Sequence, residues 1–266
     1  MWVAAAVGLG CGDGGDAVDP DATAGSTVDS GPAPTCGCED TPVGETCVSA
    51  RVFEWVDRSP VGPDDGLTVH LVTEIDYDSH AAPLAVAVPD VDGRVVFSGF
   101  TPSPGLRTYV VLDDPNDAGV DAWTHTGVGP IDVPGVVECV DAPAVTRSHG
   151  DVFLTDAGYP PDEPPILGGT VILEIVDESG EFRDLIGVET APIVITDYFT
   201  ADRQHIDRFL TSTTESGAAF TGAATFCSPL CRNITCSCGD PTCGHQGTDR
   251  GGTGNGFLFA TMECHR

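Results

Sequence analysis

From Val48 onward the sequence is a series of short β-branched and aromatic runs broken by Pro, Gly and Asp. "VSARVFEWV", "GLTVHLVTEI", "LAVAV", "GRVVFSGF" and "RTYVVLDD" come first. "GDVFLTD", "GGTVILEIVD", "APIVITDYF", "GAAFTGAATF" and "GFLFATMEC" follow. In "GLTVHLVTEI", Leu67, Val69 and Leu71 alternate with Thr68 and His70, the period of a half-buried strand. Runs this short, spaced this closely and separated by turn residues, predict an all-β chain of two antiparallel β-sandwich modules. The one segment with helical character is "ADRQHIDRFL", residues 201–210. A module boundary is expected in residues 141–150, giving module 1 as residues 36–145 and module 2, with a Cys-rich tail, as residues 146–266.

Charge narrows the function. The 266 residues carry 41 acidic and 11 basic side chains, a formal net charge of -30. Every basic residue is arginine, so a phosphate loop that needs lysine and Schiff-base chemistry are both excluded. Such a field repels nucleic acid and anionic membrane surfaces. The expected partners are a neutral glycan or another surface protein, with no nucleic acid and no cofactor.

The N-terminus, "MWVAAAVGLGCGDGG", is an apolar run of about ten residues that ends in Gly10-Cys11. It resembles a bacterial lipoprotein signal, which implies lipidation of Cys11 and removal of the preceding residues. Residues 12–35, with five aspartates and no aromatic residue, cannot bury enough apolar surface to offset the entropy of ordering. They read as a disordered acidic linker after a signal remnant at 1–11. Together these imply a lipid anchor in the outer membrane of a Gram-negative bacterium, with the protein at the cell surface or in the periplasm. The anchor would be its only membrane contact, because no apolar run reaches the length of a spanning helix.

Ten cysteines remain after Cys11: Cys36, Cys38, Cys47, Cys139, Cys227, Cys231, Cys236, Cys238, Cys243 and Cys264. An even number in an exported chain predicts full pairing as disulfides. Four fall in the first expected module and six in the second, and their connectivity stays open. A Cys47–Cys139 bridge would close a loop of about ninety residues and stabilise by about 4 kcal/mol. The alternative is zinc, held by Cys227, Cys231, Cys236, Cys238, Cys243 and His245. Against it, paired C-x2-C knuckles are absent and six thiolates exceed the four places of one ion.

Residues 90–102 carry a further resemblance. Asp90, Asp92, Gly93, Val95, Phe97, Gly99 and Pro102 match the turn and returning strand of carboxypeptidase-regulatory-like modules, which are prealbumin-type β-sandwiches. "TSTTESGAAFTGAATF" repeats the pattern more loosely, with Ser216-Gly217 and Phe220. The resemblance implies tandem non-catalytic modules in a bacterial lipoprotein.

Other side chains are weighed singly. "LDDPNDAGVD", with Asp113, Asp114, Asn116, Asp117 and Asp121, could line a calcium site but reads better as a solvated turn. Trp55, Trp123 and Tyr109 could form a sugar-stacking face but read better as sandwich core. His205 near Asp207 reads as a surface pair, and no HExxH or G-x-S-x-G occurs. The expected function is that of a surface-anchored, non-catalytic β-sandwich lipoprotein with structural, adhesive or binding work. No catalytic residue and no metal ligand is assigned. A metal-binding extracellular protein and a secreted hydrolase are the competing classes.

Overall fold

The computed structural model describes residues 37–77, 82–114, 122–131, 133, 135–159, 170–191, 196–221, 233–236, 244–246 and 256–264. The elements run β1 (Cys47–Glu54), β2 (Thr68–Thr73), β3 (Ala85–Ala87), β4 (Arg94–Ser98), β5 (Thr108–Asp113), β6 (Thr126–Ile131) and β7 (Val136–Ala144). Helix α1 (Arg147–Asp156) precedes β8 (Thr170–Val176), β9 (Val188–Ala191), β10 (Thr196–Phe199), β11 (Ile206–Asp207), β12 (Ala218–Thr221), β13 (Asn233–Cys236), β14 (Gly244–Gln246) and β15 (Phe257–Glu263).

The predominance of β-structure expected from the alternating runs is what the chain adopts. Nine strands form one sheet in the order β11-β10-β12-β8-β15-β6-β5-β2-β3. Two three-stranded sheets, β4-β1-β7 and β14-β13-β9, complete the set. Most ladders are antiparallel, but β15 runs parallel to both β6 and β8, and β1 runs parallel to β7. The nine-stranded sheet draws strands from both sides of residues 141–150.

Three apolar clusters bind these layers. Val48, Val52, Val95 and Phe97 of the β4-β1-β7 sheet meet Leu71 and Leu112 of the large sheet, and this face-to-face contact makes the sandwich. On the same side, Trp55, Phe153, Phe199, Phe220, Phe257 and Phe259 form an aromatic cluster beneath α1. Trp55 meets Phe199 edge-on at 4.6 Å and Phe153 at 5.2 Å, the geometry that ring quadrupoles favour. The opposite face collects Tyr77, Tyr109, Leu173, Leu258, Met262 and neighbours.

The expected turn at residues 90–94 forms through its aspartate. Asp90 Oδ1 accepts hydrogen bonds from the Asp92 and Arg94 amides. Gly93 adopts φ 76°, and a Cβ there would overlap the Val52 carbonyl oxygen, so only glycine fits. Val95 and Phe97 then point inward and Val96 outward.

The helix lies elsewhere than expected. Residues 201–210 are turns followed by β11, because Thr200 and Asp202 form a side-chain turn and Arg203 takes φ 62°. The helix is Arg147–Asp156, capped by the Thr146 hydroxyl, which accepts from the His149 amide. It buries Gly150, Phe153 and Leu154. Two histidine–carboxylate pairs hold its ends: His149 Nδ1 with Glu54 of β1 at 2.8 Å, and His205 Nδ1 with Asp156 at 2.9 Å. His205 therefore pairs with Asp156, not with Asp207.

Strand β7 is an edge, and it is guarded. A bulge at Cys139, where φ is 56°, breaks its register against β1, and Pro143 brings no N–H. An apolar step of about 410 Å³ lies beside it, against Val128, Pro130 and Phe259.

Candidate functional site

Cys47 pairs with Cys38, nine residues away, and not with Cys139. The bridge ties the segment before β1 to its first residue, and by chain entropy a loop this short stabilises by about 2.5 kcal/mol. Cys139 and Cys264 are also disulfide-bonded. Cys236 lies in β13. Cys11, Cys36, Cys227, Cys231, Cys238 and Cys243 fall outside the described residues, as do Asn116, Asp117 and Asp121.

Trp55, Trp123 and Tyr109 belong to the core, as expected, and form no common face. Trp55 and Tyr109 are fully buried in different clusters, and Trp123 donates its indole N–H to the Asp65 carbonyl. At the acidic loop, Asp114 accepts the Trp123 amide. Among the described residues no group of three or more His, Cys, Asp or Glu side chains is placed to hold a metal ion.

Sequence reasoning missed two polar constellations. The first is interior. Glu174, on β8, is 7% exposed, and its Oε1 accepts from Arg203 Nη1 at 3.1 Å and Trp55 Nε1 at 3.3 Å. Arg58 Nη1 lies 3.7 Å away and bonds Asp141, which also pairs with Arg51. Arg203 further donates to the Ser216 carbonyl, and its guanidinium sits 4.2 Å over the Phe182 ring. Burial pushes the Glu174 carboxyl up and the Arg203 guanidinium down from their ordinary values, and each charge offsets the other's shift. Both arginines that meet Glu174 adopt left-handed backbones, φ 64° at Arg58 and 62° at Arg203. The network joins the turn after β1, strand β8 and the β10–β11 turn. Its chemistry is cross-linking: Glu174 faces Arg203 and Arg58, and Asp141 faces Arg58 and Arg51.

The second constellation sits at the β10–β11 edge. Residues 198 and 199 pair with 207 and 206, which sets Arg208 opposite Asp197 one step further. Asp197 is 6% exposed, and its Oδ2 has no hydrogen-bond partner. Arg208 lies against Gly158, its Nη1 2.8 Å from where a Cβ would stand; Gly158 has φ 85°. Tyr159 is close enough that burial, and then the Asp197 charge, raise its hydroxyl above the usual value. Thr200, Ile206, Asp207, Arg208 and Phe209 line a cavity of about 570 Å³ here. Phe209 is 95% exposed, and its amide is fixed by the Asp207 carboxylate at 2.9 Å.

Burial raises the Asp197 carboxyl above 3.8, with Arg208 pulling partly the other way. The folded chain therefore holds this proton more tightly than the unfolded chain. Its contribution to stability is complete below about pH 3.8 and is lost as pH rises through the raised value. Asp197→Asn removes that loss. The variant should be more stable than the parent at neutral pH, on the order of 1 kcal/mol, and the difference should close near pH 3. Urea midpoints at the two pH values test it, and a variant no more stable at neutral pH refutes the assignment.

No known protein family and no curated protein matches the chain. Among solved structures, the chain overlaps a TIE protein of Bacillus anthracis at 9% identity and TM-score 0.24. The overlap covers 84% of this chain and 34% of that one, so the chain spans about a third of that protein. The shaft pilin SpaA of Lactobacillus rhamnosus GG overlaps 82% of this chain and 97% of its own, at 9% identity and TM-score 0.24. A streptococcal ancillary pilin gives 83% and 69%, at 10% identity and TM-score 0.21. At these scores the overlaps assign no function and no common ancestor.

Proposed function

We propose that the chain is a non-catalytic β-sandwich protein of an oxidising compartment, anchored through Cys11 and doing structural, adhesive or binding work at a surface. One observation carries this. All four cysteines whose side chains are described, Cys38, Cys47, Cys139 and Cys264, are in disulfides. A reducing cytosol does not sustain such a set. The charge of -30 and the absence of lysine fit a solvated surface that repels anionic polymers. Among the described residues no helix is long and apolar enough to cross a membrane.

Intact-mass analysis of the protein from native membranes tests the reading, with thiol alkylation before and after reduction and elemental analysis of the same sample. The expected result is no alkylatable thiol until reductant is added, no zinc, and acyl mass on the peptide beginning at Cys11. Alkylatable thiols with stoichiometric zinc would overturn it and return the tail cysteines to a metal site.

A further inference from the structure

The β10–β11 edge leaves three groups unused at one place. Phe209 exposes 95% of its surface, although burying a side chain of that size is worth about 2 to 3 kcal/mol. Its amide donates a hydrogen bond to the Asp207 carboxylate, which fixes the backbone beneath the ring. Arg208 is exposed, and among the described residues its guanidinium makes no hydrogen bond and no ion pair within contact distance. Asp197 stands opposite it with an unpartnered, buried carboxylate oxygen, while Asp207 has committed one oxygen to the Phe209 amide.

A cavity that offers an acceptor, a donor and an apolar ring selects its ligand by chemistry. An anionic ligand meets Asp207 and a protein of charge -30. A cationic ligand meets Arg208 at the cavity wall. A neutral ligand that both donates and accepts, and that carries a flat apolar face, meets neither penalty. A neutral pyranose is such a molecule: adjacent hydroxyls on its edge, C–H groups on its face. Ligand sites generally combine an apolar lining with a few placed polar groups, and this cavity has both.

We infer that the cavity at Thr200, Ile206, Asp207, Arg208 and Phe209 is a subsite for a neutral sugar unit, with Phe209 as stacking platform and Arg208 and Asp207 as donor and acceptor. Asp197 is the positioning residue, set opposite Arg208 one step beyond the Tyr198–Asp207 pair. The inference rests on the surface-binding reading above and specifies the ligand class.

Calorimetric titration of the full, disulfide-intact chain tests it, with cellohexaose, mannohexaose and chitohexaose as neutral probes and polygalacturonate and polylysine as charged controls. At least one neutral probe should bind with a dissociation constant of about 10 μM to 1 mM. Phe209→Ala and Arg208→Ala should each weaken that binding by about 10-fold or more, and Phe209→Ala should leave the thermal midpoint unchanged, since its ring is exposed. Asp197→Asn should weaken it while raising stability. Absence of binding by every neutral probe overturns the inference, as does binding of polylysine alone. Sugar binding that ignores both Phe209→Ala and Arg208→Ala also overturns this site, yet leaves the surface-binding reading standing. That reading fails only on the thiol and zinc measurement.

Discussion

Glu174→Ala should lower the stability of the folded chain by about 3 to 5 kcal/mol, the cost of stranding a buried charge. The alanine leaves Arg203, itself 7% exposed, with only the Ser216 carbonyl and two aromatic rings for company. It also frees the Trp55 indole N–H and breaks the link from β8 to Arg58. Arg203→Ala should cost a similar amount through the converse charge. The double variant Glu174→Leu/Arg203→Met should recover most of the loss, because apolar replacement of a whole buried pair is often neutral or better. Urea denaturation of the parent, Glu174→Leu, Arg203→Met and the Leu/Met double variant closes the cycle. Losses that simply add would show that the two charges do not act as a pair, and the interior network would lose its role as a cross-link.

Gly127→Ala is the second large effect, expected at about 3 kcal/mol. Gly127 lies in β6, inside the nine-stranded sheet, and a methyl group there would overlap the Tyr77 hydroxyl. Tyr77 has no free path aside: it is buried edge-on to Tyr109 at 5.2 Å and to His125 at 5.7 Å. The variant must expel the tyrosine or open the sheet. Tyr77→Ala removes the obstacle, so adding Gly127→Ala to that background should cost far less than it does in the parent. A loss of the same size in both backgrounds would mean that the glycine is needed for backbone freedom and not for the tyrosine.

Much of the β-structure was legible because the alternation of buried and exposed positions is local. "TVHLVT", "RVVFS" and "TVILEIV" each coincide with a strand, and the Asp90–Gly93 turn forms as its residues require. The helix was not legible. "RSHGDVFLTD" carries a central glycine and three polar residues in its first turn, which weakens every helical signal except the Thr146 cap. Its stability comes from Phe153 in the aromatic cluster and from its two histidine pairs, partners about 50 to 100 residues away in the chain. "ADRQHIDRFL" misled in the opposite sense, since its charged spacing imitates a helix face while Asp202 and Asp207 cap turns. The site was hidden for the same kind of reason. Nothing local says that Phe209 faces out while Leu210 packs inward, or that the strand register will set Arg208 opposite Asp197.

Strand β15 is the last of the described strands and yet lies between β8 and β6. Without Phe257–Glu263, β8 and β6 share no ladder, and the large sheet falls into two halves. Closing it needs two parallel ladders over long separations, contacts that form slowly. The position of one strand thus makes closure of the large sheet wait on contacts between segments far apart in the chain.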